Sequence, residues 1–280
     1  MKKITRRSFL AAAGLTAAAL ALTACGGSSS STASSAASSA AASSEAASSS
    51  AAAAELTTVE AGKLTMATNA AFPPYEMTTD AGDFEGIDIE TAQAIADKLG
   101  LELQIDDMDF DAALLSVQQG KADIAMAGVT VTDERKAVMD FSDSYATGIQ
   151  SIIVPEGSDI ASPDDLAGKK IGTQRGTTGY IYCSDDFGDE NVVAYDDGLT
   201  AVQALNNGQV DAVVIDNAPA KEFIAANPGL VILETSYAEE DYAIGLAKGS
   251  SLEDAINSAL EELKADGTLQ SIVDKYISAE

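Results

Sequence analysis

Residues 125–135, Ala-Met-Ala-Gly-Val-Thr-Val-Thr-Asp-Glu-Arg, decide the fold of this chain. They continue an apolar run, residues 123–127, that predicts a buried strand. The strand breaks at Gly128, where the missing Cβ lets another group approach the backbone. Thr132 and the two acidic residues after it are typical of a helix N-cap and first turn. We therefore expect Arg135 one turn into a short helix, just beyond the carboxyl end of a strand.

Arg135 has two interpretations at this position. Ligands of open α/β sheets bind at the carboxyl ends of strands, and a planar guanidinium can hold a carboxylate through two parallel hydrogen bonds. The amides of Gly128 and Thr130 would then be additional donors. Alternatively, Arg135 pairs locally with Asp133 or Glu134, and Gly128 only marks a turn. The motif alone leaves both open.

The first 55 residues are predicted to lie outside the fold. Residues 1–24 have a basic start and an apolar, Ala-rich continuation, as in an export signal. Leu-Thr-Ala-Cys at 22–25 resembles a bacterial lipobox, which implies cleavage before Cys25 and lipidation of that cysteine. A plain secretory signal is the alternative. Residues 26–55 are almost wholly Ser, Ala and Gly and predict a disordered tether. We expect a lipid-anchored protein on the extracytoplasmic face of the cell membrane.

Composition excludes several kinds of function. The chain of 280 residues has a net charge of −28, which argues against binding to nucleic acid. It contains no histidine, so catalytic triads and metal sites built on histidine are ruled out. Cys183 has no histidine to activate it and is expected to be a small packed side chain. We predict no catalytic residue, no metal site and no cofactor.

The remainder, from Leu56 onward, alternates strands with helices and repeats itself. Val-Gln-Gln-Gly-Lys-Ala-Asp at 117–123 matches Leu-Asn-Asn-Gly-Gln-Val-Asp at 205–211, and an apolar strand follows each. This alternation predicts parallel sheets, and the repeat predicts two similar α/β lobes with a cleft between them. Tyr242 to Lys248 is predicted to be one continuous strand.

Three further segments carry candidate site residues. The loop Gln-Arg-Gly-Thr-Thr-Gly at 174–179 joins a strand to a helix, so its amides either bind an anion or form a bare cap. Asp216 ends a strand before a helix and either caps that helix or meets an ammonium group. Phe72 and Tyr75 flank two prolines, and each ring either faces a ligand or packs into the core.

Taken together, residues 60–278 resemble the bacterial extracellular solute-binding proteins of family 3, the amino-acid-capturing components of ABC importers, and especially glutamine-binding proteins. The resemblance rests on eight segments in order: Ala-Thr-Asn-Ala-Ala-Phe-Pro-Pro-Tyr-Glu at 67–76, Gly-Ile-Asp-Ile-Glu at 86–90, Met-Asp-Phe at 108–110, Ala-Gly-Val-Thr-Val-Thr-Asp-Glu-Arg at 127–135, Asp-Phe-Ser-Asp at 140–143, Gly-Thr-Thr at 176–178, Asp-Ala-Val-Val-Ile-Asp at 211–216, and Lys-Ala-Asp-Gly-Thr at 264–268.

The resemblance implies a two-lobed, periplasmic-binding-protein-like (type II) α/β fold and a role as a binding protein, not an enzyme. Residues 56–147 and 243–280 would form lobe 1, and residues 148–242 would form lobe 2. Arg135 would hold the ligand carboxylate and Asp216 its ammonium. The rest of the expected ligand-binding set is Asn69, Phe72, Phe110, Ala127, Gly128, Thr130, Gln174, Thr177 and Thr178. The implied partners are a free L-amino acid and membrane permease subunits, and we expect a monomer.

Two positions depart from the pattern and bear on the ligand. Many relatives carry Asp where this chain has Asn69, and Ile215 is apolar where a glutamine binder can have a polar group. We therefore expect a neutral polar amino acid, with glutamine itself in doubt. The rival functions are a sensory lipoprotein and an enzyme on the same scaffold, such as a cyclohexadienyl dehydratase with Glu76 as an acid.

Overall fold

The computed structural model describes residues 56–277. The predicted export signal, Cys25 and the tether lie outside these residues. The described chain has fourteen strands: β1 Lys63–Thr68, β2 Ala71–Phe72, β3 Glu76–Thr78, β4 Phe84–Glu85, β5 Glu102–Asp107, β6 Ile124–Ala125, β7 Met139–Phe141, β8 Ala146–Pro155, β9 Ile171–Gln174, β10 Val192–Tyr195, β11 Ala212–Asp216, β12 Leu230–Ile232, β13 Ala238–Tyr242 and β14 Gly245–Ala247.

Eight α-helices alternate with these strands, as the periodicity predicts. They are α1 Ile87–Leu99, α2 Phe110–Gln118, α3 Asp133–Val138, α4 Thr178–Phe187, α5 Gly198–Asn206, α6 Asn217–Ala226, α7 Glu253–Ala265 and α8 Thr268–Tyr276. Two 3₁₀ turns cover Pro163–Leu166 and Asp189–Asn191. Within residues 56–277, no helix combines the length and the apolar character needed to cross a bilayer.

Two separate sheets carry the fold. The first has the order β5-β1-β6-β14-β7, and helices α1, α2 and α3 pack against its strands. The second has the order β10-β9-β11-β8-β12, with β13 paired to β8, and is packed by α4, α5 and α6. The halves that repeat in the sequence therefore each contribute to their own sheet. A small antiparallel sheet, β2-β3-β4, precedes α1.

The sheets are mixed, which corrects the prediction of parallel sheets. Strands β1, β5 and β6 run parallel, as do β9, β10 and β11. Strands β8 and β14, however, pair antiparallel with their neighbours. Both come from the two segments that pass between the sheets, so each enters its sheet from the opposite direction.

The predicted strand from Tyr242 to Lys248 was wrong. Strand β13 ends at Tyr242 in the second sheet, and β14 starts at Gly245 in the first. The chain passes from one sheet to the other at Ala243 and Ile244. A continuous apolar run conceals this break because both sides of it are buried.

Candidate functional site

One cavity lies between the carboxyl ends of strands from both sheets. All eleven residues of the predicted ligand-binding set line it: Asn69, Phe72, Phe110, Ala127, Gly128, Thr130, Arg135, Gln174, Thr177, Thr178 and Asp216. Glu76, which was not in that set, lines it as well. The two halves of the sequence thus meet at one place, as the repeat suggested.

Arg135 faces this cavity because the predicted helix cap forms. Thr132 accepts a hydrogen bond from the Arg135 amide at 3.2 Å, which starts α3 and turns the arginine inward, where it is buried. Nη1 donates to the Thr130 carbonyl at 2.8 Å and Nη2 to the Gly176 carbonyl at 3.1 Å. The guanidinium lies 5.3 Å from the centre of the Phe110 ring. It therefore does not use its terminal nitrogens in a local pair with the neighbouring carboxylates.

The second charged group in the cavity is Asp216, at the end of β11. The side chain of Asp216 makes no helix-capping hydrogen bond, so that alternative is excluded. Instead its Oδ2 accepts from Nε2 of Gln150 at 2.8 Å, and its Oδ1 accepts from the Tyr242 hydroxyl. Burial raises the pKa of Asp216 to about 7, against the opposing effect of the Tyr242 hydrogen bond.

Glu240 connects the walls that carry these two groups. Its Oε2 accepts hydrogen bonds from Thr130 at 3.1 Å, from Thr178 at 2.9 Å and from Gln150 at 3.0 Å. Burial lowers the pKa of Arg135, and the charge of Glu240 opposes this shift. Sequence reasoning missed Glu240, Gln150 and Tyr242, because strands β8 and β13 reach Asp216 only through long-range antiparallel pairing.

The loop before α4 is both a cap and part of the cavity wall. Thr177 accepts from the Tyr180 amide at 3.3 Å, so the capping interpretation holds. Gln174 reaches across to the first sheet, where its Nε2 donates to Oδ1 of Asn69 at 2.8 Å. Asn69 in turn donates to the Met108 carbonyl at 3.0 Å. The amide of Asn69 is therefore oriented by both sheets.

The two rings of the Pro-Pro loop take different positions. Phe72 lines the cavity, whereas Tyr75 packs behind it, with ring centres 5.9 Å apart. Gly128 has a φ of 56°, and a Cβ there would lie 2.9 Å from Cε1 of Phe72. A side chain at position 128 would therefore displace the Phe72 ring as well as strain the backbone.

The Gly128 amide has a different role from the one predicted. It donates to Oδ2 of Asp88 at 3.0 Å and is thus engaged within the protein. The Tyr145 hydroxyl donates to the same oxygen at 2.8 Å. Beside Asp88 lies Glu76, which is completely buried, and neither carboxylate oxygen of Glu76 has a hydrogen-bond donor.

A metal ion would need a cluster of suitable ligands. Among residues 56–277, no group of three or more Cys, Asp or Glu side chains could hold one. The cavity is lined instead by one cation, Arg135, and by two buried acids, Asp216 from the second sheet and Glu76 from the first half of the chain. This arrangement suits a small molecule that carries both an anionic and a cationic group.

Comparison with known proteins gives this geometry a context. The profile of the bacterial extracellular solute-binding proteins, family 3, matches residues 64–279. The L-cystine-binding protein TcyJ of Escherichia coli strain K12 is 32% identical over 226 residues, which cover 79% of this chain and 85% of the relative.

Solved structures agree with the fold. The arginine-, lysine-, histidine-binding protein ArtJ of Geobacillus stearothermophilus is 34% identical, with a TM-score of 0.75 over 78% of this chain and 96% of that chain. An ancestral arginine-binding protein, solved with arginine, is 42% identical, with a TM-score of 0.74 over 78% and 99% of the two chains. The same kind of protein has also been solved with glutamine. The expected two-lobed α/β fold class is confirmed.

Proposed function

Because this chain belongs to family 3 of the bacterial extracellular solute-binding proteins, we propose that it captures a free L-amino acid for an ABC importer. Like its relatives, it is a binding protein and not an enzyme. The family works outside the cytoplasm, and permease subunits are the implied partners. A lipid on Cys25 would keep the protein, as a monomer, close to them. A sensory lipoprotein is the alternative use of the same fold.

The observation that supports this proposal is the placement of Arg135 and Asp216 in one cavity. Arg135 has five N–H donors and spends two on backbone carbonyls, so others stay free for a carboxylate. Asp216 accepts two hydrogen bonds and keeps lone pairs for an ammonium. Leaving either charge buried without its partner costs about 3–5 kcal/mol, so a ligand with both groups is strongly favoured.

We expect the lobes to close on the ligand, because the residues that would contact it come from both halves of the chain. Arg135 belongs to the first sheet's half, and Asp216 ends a strand of the second. A zwitterion contacts both only when the halves approach, so its binding favours the closed arrangement. A saturating ligand should therefore reduce the radius of gyration in small-angle scattering.

The ligand side chain would occupy the part of the cavity lined by Asn69, Phe72, Phe110 and Glu76. A neutral polar side chain remains our first candidate, because Asn69 is an uncharged amide and burial raises the pKa of Glu76 well above its ordinary value. A cationic side chain is the second candidate. It is favoured by the lack of a donor for Glu76 and by the arginine-binding relatives.

A thermal-shift screen against all L-amino acids, followed by calorimetry on the hits, tests the proposal. We expect at least one free L-amino acid to raise the melting temperature and to bind with one-to-one stoichiometry. Its D-enantiomer should bind far more weakly, because the ammonium and carboxylate positions are fixed. A protein that binds no amino acid in calorimetry would contradict the proposal.

A further inference from the structure

One carboxylate oxygen joins the two halves of the chain beside the cavity. Oε2 of Glu240, on β13, accepts hydrogen bonds from the hydroxyl of Thr130 at 3.1 Å and from the hydroxyl of Thr178 at 2.9 Å. Thr130 follows β6 of the first sheet, and Thr178 begins α4, which packs on the second sheet. Both threonines line the cavity, whereas the buried Glu240 is not among its lining residues. The hydrogen bonds of Glu240 can therefore affect a ligand only through the side chains that it holds.

The same oxygen has a third donor, which leads to Asp216. Nε2 of Gln150, on β8, donates to Oε2 of Glu240 at 3.0 Å and to Oδ2 of Asp216 at 2.8 Å. An amide nitrogen carries two hydrogens, which are enough for both acceptors. Oε1 of Glu240 has no hydrogen-bond partner, so the donors converge on Oε2 alone. A single acceptor thus sets the positions of three side chains.

The backbone holds Glu240 where the chain passes between the sheets. Strand β13 pairs with β8 in the second sheet. Around the end of β13, the Val131 amide donates to the Asp241 carbonyl at 3.0 Å, and the Ala243 amide donates to the Val129 carbonyl at 3.0 Å. The strand that carries Glu240 is therefore bonded to the second sheet on one side and to the first half of the chain on the other.

The two threonine hydroxyls meet only when the halves are close. The hydroxyl oxygens of Thr130 and Thr178 lie 3.5 Å apart. Separation of the halves would move one of them away from Glu240 and leave this buried carboxylate with fewer donors. Three donors on one oxygen suit an ionised carboxylate, whose hydrogen bonds are stronger than those of a neutral acceptor. The contacts of Glu240 therefore favour the closed arrangement.

We propose that Glu240 is a positioning residue for amino-acid binding. It holds the hydroxyls of Thr130 and Thr178, one from each half of the chain, and it orients Asp216 through Gln150. It does not contact the ligand, but it stabilises the closed cavity in which the ligand-binding side chains are in place. This inference rests on the proposed function, the capture of a free L-amino acid.

The test measures binding to Glu240→Gln, and the probe is the standard L-amino acid that binds wild-type protein most tightly. Glutamine keeps the shape and one acceptor oxygen but loses the charge, which weakens all three hydrogen bonds. We expect calorimetry to show about tenfold lower affinity. Surface plasmon resonance should show that dissociation becomes faster while association stays within about threefold of wild type, because these bonds form as the cavity closes on the ligand.

Two further variants separate positioning from charge balance. The charge of Glu240 also acts on Arg135. Glu240→Asp keeps the charge but is one methylene shorter, so it should bind at least as weakly as Glu240→Gln. Glu239→Gln, at the exposed neighbour on the same strand, is the matched control and should bind like wild type. Normal binding by Glu240→Asp would overturn the inference, because Glu240 would then only balance Arg135.

A double-mutant cycle with Thr178→Val locates the effect. Valine removes the hydroxyl but keeps the backbone amide and the branched shape. In this background Glu240→Gln should lower the affinity by about threefold or less, because one of its hydrogen bonds is already absent. The same tenfold loss in both backgrounds would show that Glu240 does not act through Thr178, and would also overturn the inference.

Failure of the inference and failure of the proposed function give different results. If one amino acid binds wild type and Glu240→Gln equally well, the inference is wrong and the proposed function stands. If no standard L-amino acid binds wild-type protein, the proposed function fails, and the inference fails with it. Glu240→Asp decides the matter if Glu240→Gln does not fold.

Discussion

Gln174 donates a hydrogen bond of 2.8 Å from its Nε2 to Oδ1 of Asn69, and so links the two large sheets across the cavity. Gln174 ends β9 of the second sheet, and Asn69 directly follows β1 of the first. A second link runs from Arg135 to the Gly176 carbonyl. Both bonds require the two halves to be close, so they belong to the closed arrangement in which a ligand would be held.

Removal of the first link should weaken ligand binding moderately. Gln174→Ala loses the hydrogen bond between the sheets, worth about 1 kcal/mol, which corresponds to roughly a fivefold lower affinity. Calorimetry with the best amino acid from the screen measures this. Gln203→Ala, at an exposed position of α5, is the control and should bind normally. Equal affinities of both variants would show that the bond does not stabilise closure.

Arg135→Ala should reduce amino-acid affinity by at least about two orders of magnitude with the fold intact. The carboxylate of the ligand would then enter a buried site without its partner, at a cost of about 3–5 kcal/mol. Arg135→Lys keeps the charge but loses the planar pair of donors, so only part of the affinity should return. Arg175→Ala, at an exposed arginine nearby, is the control. Normal binding by Arg135→Ala would refute its role.

Binding of a neutral amino acid should weaken as the solution becomes acidic. The pKa of Asp216 is about 7 in the ligand-free protein, chiefly because of burial. A bound ammonium favours the ionised form, so binding below this pKa must release a proton. Affinity should thus fall by up to about tenfold per pH unit below about pH 7 and level off above it. Asp216→Asn should bind the amino acid weakly, and its affinity should not depend on pH in this range. A wild-type affinity that stays constant down to about pH 5 would contradict the role of Asp216.

Gly148→Ala should destabilise the protein where the chain crosses between the sheets. A Cβ at position 148 would lie 2.4 Å from Cε1 and Cζ of Tyr242, whose hydroxyl donates to Asp216. Overpacking of this kind costs about 1–3 kcal/mol. Urea unfolding measures the loss, and Thr147→Ala, at the exposed neighbour, should change the free energy of unfolding by less than about 0.5 kcal/mol. No difference between the two would mean that Tyr242 moves freely.

The sequence predicted the elements that local patterns define. The Thr132 cap forms and sets the direction of Arg135 as expected. Strand β6, Ile124–Ala125, is shorter than the predicted apolar run 123–127. The lobe boundaries stay a prediction. The chain passes from the first sheet to the second between Phe141 and Ala146, and it returns to the first sheet after Tyr242.

The sequence predicted those site residues that a single local motif identifies. It was less informative where the site depends on contacts between segments that are distant in the sequence. Arg135 and Asp216 each follow a recognisable strand end. Glu76 was considered only as an acid of a rival enzyme, because no local pattern shows that its side chain lines the cavity. Its position after the Pro-Pro loop gave a signal, but only packing shows that it is buried without a donor. The export signal and Cys25 lie outside the described residues, so the anchor stays a prediction.

Arg135 and Asp216 are proposed to hold opposite ends of one zwitterion, and changing the residue and the ligand together tests this most directly. The α-amide of the best ligand lacks the carboxylate charge. Wild-type protein should bind this amide at least about 100-fold more weakly than the amino acid. Arg135→Ala should bind the amide and the amino acid with affinities within about threefold of each other, because the two changes remove the same contact. Equal losses in both proteins would show that Arg135 does not bind the carboxylate.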